Sequence, residues 1–286
     1  MTSRKAVHIA VCGAAAVCLC ICSCTKSAYA QGKVSAASST TLLSPEEQKL
    51  IALYATLTPR ALASFALDVT DGAMRVEFIA ELLELLAQEK TFPQNDKSLF
   101  FLIDKKHTVG SDYEPANLVS LDGDALFDVN KAGMVMRRDA RDALRVMAQA
   151  ALDDGVKLLV SSAYRSYSYQ KRLFDYWVSV DGLEEAERES ARAGTSQHQL
   201  GAAADFGSIS DDFAATTMGS WMYANAARFG WSLSFPKGYE DVTGYRWECW
   251  HFRYIGVKAC AFQAKWFGDV QQFMLEFIDK WKTWDT

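Results

Sequence analysis

Helical and strand-like segments follow one another in this chain without a regular period, and that irregularity excludes most ways of folding it. A repeating strand–helix alternation is what a doubly wound parallel sheet requires. Here, 139–154 has the apolar spacing of an amphipathic helix, with Leu144, Met147, Ala148 and Ala151 inward. Lys157 to Ser162 reads as a strand, Ser168 to Val180 and Leu183 to Ala193 as helices. Segments 203–206, 230–235 and 247–254 read as strands, with a helix over 221–229, and the apolar run Leu99 to Ile103 suits a further strand. The expected class is α+β: a small antiparallel sheet flanked by helices. The 286 residues, half of them hydrophobic, suffice for one sizeable core.

The first thirty residues stand outside that fold. Arg4 and Lys5 precede an uncharged apolar stretch from Ala6 to Cys24, and Ala28-Tyr29-Ala30 follows. A basic start, an apolar middle and an A-x-A end make an export signal. Cleavage after Ala30 gives a protein starting at Gln31, whereas Ile21-Cys22-Ser23-Cys24 resembles a loose lipobox with Cys24 as the lipid-bearing residue. An uncleaved anchor is a third option. The expected location is outside the cytoplasm, periplasmic or in the cell envelope, with membrane attachment favoured. Five of the seven cysteines lie in this stretch, leaving Cys249 and Cys260 as a pair that an oxidising compartment can join. Residues 31–43 are small and polar, a spacer. Residues 44–95 form a helical segment: Ser44-Pro45-Glu46-Glu47 is a helix start, and a second helix runs from about Asp71 to Lys90, with Met74, Phe78, Ile79, Leu82, Leu83 and Leu86 on one face. This segment carries no chemistry of its own and is expected to pack on, or space out, a catalytic domain over 96–286. The net charge of −5, without a basic run, argues against nucleic acid as a partner.

The chemistry concentrates in two short stretches. Of four histidines, His8 lies in the export signal and His107 in a loop, which leaves His198 and His251. Ser196 to Asp205 reads SQHQLGAAAD, and Gly201 lets the chain turn so that His198 and Asp205 converge. Two imidazoles and a carboxylate are a three-ligand set for a catalytic zinc, with one position left for water. Glu248 precedes His251 by three residues, and in a regular strand an odd separation puts them on opposite faces. Both address one zinc only if the chain bends between them. The expectation is therefore a turn or bulge at Glu248 and a strand beginning at His251, with Glu248 as the base that takes a proton from the attacking water. The neighbouring Trp247 and Trp250 partly desolvate it and raise its pKa.

S-x-H-x-x-G-x-A-x-D followed by E-x-W-H resembles the VanY-type D-alanyl-D-alanine carboxypeptidases, including the LdcB-like L,D-/D,D-carboxypeptidases. Ser161-Ser162-Ala163-Tyr164-Arg165-Ser166 with Gln170, Asn225-Ala226 with Phe229-Gly230, and Phe235-Pro236-Lys237-Gly238 with Thr243-Gly244-Tyr245 extend the similarity over about 99–262. The resemblance implies Zn2+ held by His198, Asp205 and His251, Glu248 as base, and Arg165 beside the scissile carbonyl. It implies substrate contacts from Tyr164, Gln170 and Ser196, and Trp250 is placed with them. The implied substrate is a peptidoglycan stem peptide losing its terminal D-residue. Three positions depart from the pattern: Gln197 stands where many relatives have glutamate, Ala193 and Cys249 where many have proline. A wall-crosslink metallo-endopeptidase and a non-catalytic wall-binding lipoprotein are the alternatives. A serine hydrolase is disfavoured because no G-x-S-x-G occurs.

Overall fold

A computed structural model describes residues 42–89 and 96–284. The export signal, Cys24 and the spacer up to residue 41 lie outside the described residues. Residues from Leu43 onward make one compact unit.

Helix α1 (Pro45–Tyr54) begins on a reciprocal cap: Ser44 Oγ accepts from Glu47 N, and the Glu47 carboxylate accepts from Ser44 N. Thr58 and Pro59 start the short α2 (Pro59–Ser64), and α3 spans Gly72–Glu89. Phe78, Ile79, Leu82 and Leu85 of α3 are buried, while Leu83, expected on the apolar face, is exposed. These helices share one core with α8 (Val257–Trp266) and α9 (Gln271–Thr283). Phe65 stacks on Phe267 at 4.7 Å, Phe78 meets Trp266 and Phe277 edge-on at 5.3 Å, and Trp266 Nε1 donates to Glu81.

Two sheets follow. β1 (Leu118–Ser120) pairs antiparallel with β3 (Val135–Arg137). The main sheet has the order β2-β4-β5-β7-β6, formed by Phe127–Val129, Leu158–Ser162, Ala203–Phe206, His251–Tyr254 and Trp231–Leu233. It is mixed, not purely antiparallel as expected: β2 runs parallel to β4. The reason is α4 (Arg138–Asp153), which supplies the crossover that a parallel pair needs and buries Leu144, Met147, Ala148 and Ala151. The run Leu99 to Ile103 forms no strand. Its carbonyls at Leu99 and Phe101 accept from the Arg253 guanidinium at 2.9 and 2.8 Å, so a side chain takes the place of a neighbouring strand.

Helix α5 (Tyr167–Glu189) is capped by Ser166 and broken at Gly182, whose φ of 81° separates the two helices expected there. α6 (Thr217–Asn225) and the single-turn α7 (Glu240–Thr243) complete the fold. Cys249 and Cys260 are buried and free rather than paired. Cys249 Sγ faces the Ser210 carbonyl at 3.4 Å, and Cys260 packs within α8.

Candidate metal centre

The central strands β5 and β7 pair so that Asp205 sits directly opposite His251, which puts both side chains on one face of the sheet. His198 arrives from a 3-10 turn, Gln197–Leu200, that ends on Gly201 at φ 69°. A side chain at Gly201 would strain that backbone and press a Cβ to 3.0 Å from Arg137 and 3.2 Å from Leu118 and Pro115. The reversal carries β5 back beneath His198. His198 Nε2 then stands 3.3 Å from Asp205 Oδ2, and His251 Nδ1 stands 3.1 Å from Asp205 Oδ1. One donor atom from each residue lies within 4.8 Å of the others, and all three residues are buried.

The hydrogen positions follow from the outer partners. His198 Nδ1 is 2.7 Å from the Ala163 carbonyl, which can only accept, so Nδ1 carries the proton and Nε2 presents a lone pair. His251 Nε2 is 3.2 Å from Gln197 Oε1, which leaves Nδ1 with its lone pair toward Asp205. Lone pairs thus face carboxylate oxygens at about hydrogen-bond distance, and among the described residues neither His198 Nε2 nor Asp205 Oδ1, both buried, has a hydrogen-bond partner. Acceptors facing one another in a buried site repel unless a cation lies between them. The donor set, two imidazole nitrogens and one carboxylate, fits zinc with an open position.

Glu248 lies where the odd spacing placed it. Its carbonyl accepts from His251 N at 3.2 Å, closing a turn, and His251 is the first residue of β7. Glu248 Oε2 reaches 3.5 Å from His251 Nδ1. Burial, and then the Asp205 charge, push its carboxyl well above the ordinary range, against a smaller opposite pull from Arg165 and Arg246. Burial also pushes the Asp205 carboxyl up, but positive charge around it, with the Arg165 guanidinium donating to Oδ2, outweighs that and holds the group well below the usual carboxylate value. Two neighbouring carboxyls are thereby driven apart, one kept as an anion and one fit to carry a proton. Burial, with Arg165 next, lowers His198 to about 4.

Arg165 donates to Ser162 Oγ at 2.9 Å, to Gln170 Oε1 at 3.4 Å and to Asp205 Oδ2 at 2.6 Å. It lines a cavity of about 290 Å³ with His198, Asp205, Glu248 and His251. Ser196 and Trp250 line it too, and Ser196 Oγ also caps His198 N. Two residues expected to contact substrate do not line this cavity. Gln170 is fully buried outside the cavity wall, where its amide donates to the Ala191 carbonyl at 2.7 Å and its oxygen accepts from Arg165. Tyr164 is likewise not among the residues lining it; its hydroxyl is buried and feels the Glu114 charge. The sequence reading quoted Tyr245 without giving it a place on the cavity wall, and it missed Tyr169, Leu173 and Trp177, which bring one face of α5 to the cavity. Their four-residue spacing was the available signal.

Fold and site together define a mixed α/β protein with a buried His-Asp-His centre beside a buried glutamate whose carboxyl is pushed above its ordinary range. A family model described as VanY, D-alanyl-D-alanine carboxypeptidase, matches residues 133–257. The chain belongs to this family. YodJ of Bacillus subtilis (strain 168), which bears a carboxypeptidase name, is 36% identical over 195 residues, spanning 66% of this chain and 70% of that protein. A D-alanyl-D-alanine carboxypeptidase of Enterococcus faecalis (strain ATCC 700802 / V583) is 33% identical over 125 residues, 41% of this chain and 47% of that protein. The solved structure of the LdcB LD-carboxypeptidase, described in connection with peptidoglycan recognition, superposes with a TM-score of 0.55 at 33% identity, covering 63% of this chain and 85% of that one.

Proposed function

We propose that this protein is a zinc-dependent carboxypeptidase that removes the C-terminal D-amino acid from peptidoglycan stem peptides. The observation that carries this reading is the set of buried donor atoms on His198, Asp205 and His251 within 4.8 Å of one another, two of them, His198 Nε2 and Asp205 Oδ1, without a hydrogen-bond partner among the described residues, adjoined by a carboxyl at Glu248 pushed above its ordinary range. Family membership and the names of the relatives support the substrate class.

Zinc held by His198, Asp205 and His251 supplies Lewis acidity toward the attacking water and the scissile carbonyl. Glu248 takes a proton from that water and returns it to the leaving amine, a double duty suited to a carboxyl raised from its ordinary value. Arg165 has five N–H donors, and its three named hydrogen bonds leave others for the oxyanion that develops on the carbonyl. Gln170 and Ser162 hold the guanidinium in place, and Ser196 and Trp250 form the wall against which the terminal residue rests. The first thirty residues are proposed to export the chain to the envelope, with Cys24 as the attachment point if a lipid tether is used.

Mass spectrometry of defined tetrapeptide and pentapeptide stems, incubated with and without a chelator, tests the reading. The expected result is release of a single free D-amino acid that stops when zinc is stripped. Cleavage inside a crosslink with no free terminal residue, or release insensitive to chelation, would overturn it.

A further inference from the structure

Helix α9 begins with two consecutive buried glutamines, Gln271 and Gln272, ahead of the equally buried Phe273, Met274 and Leu275. Burying an amide is costly unless it is hydrogen-bonded, so the partners of this pair are informative. Gln272 donates to Asp104 Oδ2 at 2.9 Å, and both residues line the cavity. Gln271 points elsewhere. Its Nε2 donates to the Ser232 carbonyl of β6 at 3.3 Å. A carbonyl can only accept, so this contact fixes which end of the Gln271 amide is which.

The orientation then propagates. With Nε2 committed to Ser232, Gln271 Oε1 accepts from Gln197 Nε2 at 3.4 Å, with Ser234 Oγ 3.3 Å away. Gln197 is thereby turned so that its Oε1 faces the other way. That oxygen lies 2.7 Å from Ser234 Oγ and 3.2 Å from His251 Nε2. Gln197, Ser234, Gln271 and His251 are each at most 5% exposed, so water does not compete for these groups. An oxygen at Gln197 requires a proton on His251 Nε2 and leaves the lone pair on Nδ1, facing Asp205. The other amide orientation would set an N–H against His251 Nε2 and favour the opposite tautomer, with a proton pointing into the metal pocket.

We propose that Gln271, acting through Gln197, is a positioning residue that holds His251 in its Nε2–H form with Nδ1 turned to the metal pocket. The inference deepens the zinc reading and rests on it for its affinity readout, though not for its spectroscopic one. Helix α9, which carries Gln271, shares its core with α1–α3, all outside the residues matched by the family model. The neutral Gln197 does here what a carboxylate could do directly, and because an amide has two different ends it needs Gln271 to point it.

The test uses the full chain with Gln271→Met, Gln197→Met and Gln197→Glu. In metal-free protein, 15N chemical shifts of the His251 ring report the tautomer. The parent is expected to show Nε2–H alone, both methionine variants a mixture, and Gln197→Glu the parental form, because its carboxylate accepts from Nε2–H without being steered. Zinc affinity, measured against a competing chelator, is expected to fall about 10–100-fold in Gln197→Met and several-fold in Gln271→Met, and to hold or rise in Gln197→Glu. A parental tautomer and affinity in Gln271→Met would overturn the proposal, as would a Gln197→Glu variant as weakened as Gln197→Met. If Gln197→Met does not fold, the contrast between Gln271→Met and Gln197→Glu carries the same decision. A parent chain that binds no zinc would fail the functional reading, while the tautomer comparison would still decide the role of Gln271.

Discussion

Replacing Phe78 by alanine asks whether the N-terminal helices belong to the core of the molecule. Phe78 is fully buried on α3, and its ring lies 5.2–5.4 Å from those of Phe65, Phe262, Trp266 and Phe277. Three of these partners come from α8 and α9, more than 180 residues further along the chain. Truncating a buried phenylalanine costs about 3–5 kcal/mol through lost transfer energy and the cavity left behind. The edge-on contacts with Trp266 and Phe277 each add roughly 0.5–1.5 kcal/mol beyond area, which favours the upper part of that range. For a unit of this size, about 1 kcal/mol moves Tm by roughly 2–4 °C, so a drop on the order of 10–15 °C is expected. Thermal unfolding followed by both far-ultraviolet circular dichroism and tryptophan fluorescence is the assay, since Trp231 on the sheet and Trp266 on α8 report different parts. Both signals should shift together. A loss below about 1 kcal/mol, or a shift confined to an early helical transition, would refute the claim that the helices and the sheet share one core.

Three further outcomes follow from the site. Arg165→Lys keeps the charge but cannot reach Ser162, Gln170 and Asp205 with one planar fork, so kcat on a stem peptide should fall about 100-fold or more while the fold persists; near-parental kcat would remove Arg165 from the reaction. In metal-free protein, His198 is held to about 4 by burial and Arg165, below its ordinary value of about 6.5. The unfolded chain therefore takes up a proton that the folded chain refuses. Stability is full above about pH 6.5 and declines by about 3 kcal/mol as pH falls to about 4, which urea titrations at several pH values with and without His198→Gln would register. Cys249 and Cys260 are buried, and burial raises both thiols, Cys260 to about 12. Peptide mapping after mild alkylation should find both unmodified in native protein and both modified in urea, whereas a disulfide would block both under either condition.

The parts of this account that were legible in the sequence are those set by neighbours in the chain. The Ser44 cap, the inward face of 138–153 and the break at Gly182 are local, and each is visible in residue order. The bend between Glu248 and His251 was legible because strand geometry forbids their joint action at a separation of three. What was not legible depends on distant partners. Leu99 to Ile103 has strand composition, but Arg253 claims two of its carbonyls. Tyr164 adjoins Arg165 and Gln170 follows it by five residues, yet only the arginine lines the cavity. Gln271 is 74 positions from Gln197, and no spacing rule connects two glutamines across that distance.

The most direct test of the central claim pairs two readings on one variant, Glu248→Ala. The ligands His198, Asp205 and His251 are untouched, so bound zinc per chain should match the parent, while turnover of a stem peptide should drop by about 10²–10⁴ with the loss of the base. Full turnover in that variant, or loss of zinc along with activity, would contradict a site in which three residues hold the metal and the glutamate moves the proton.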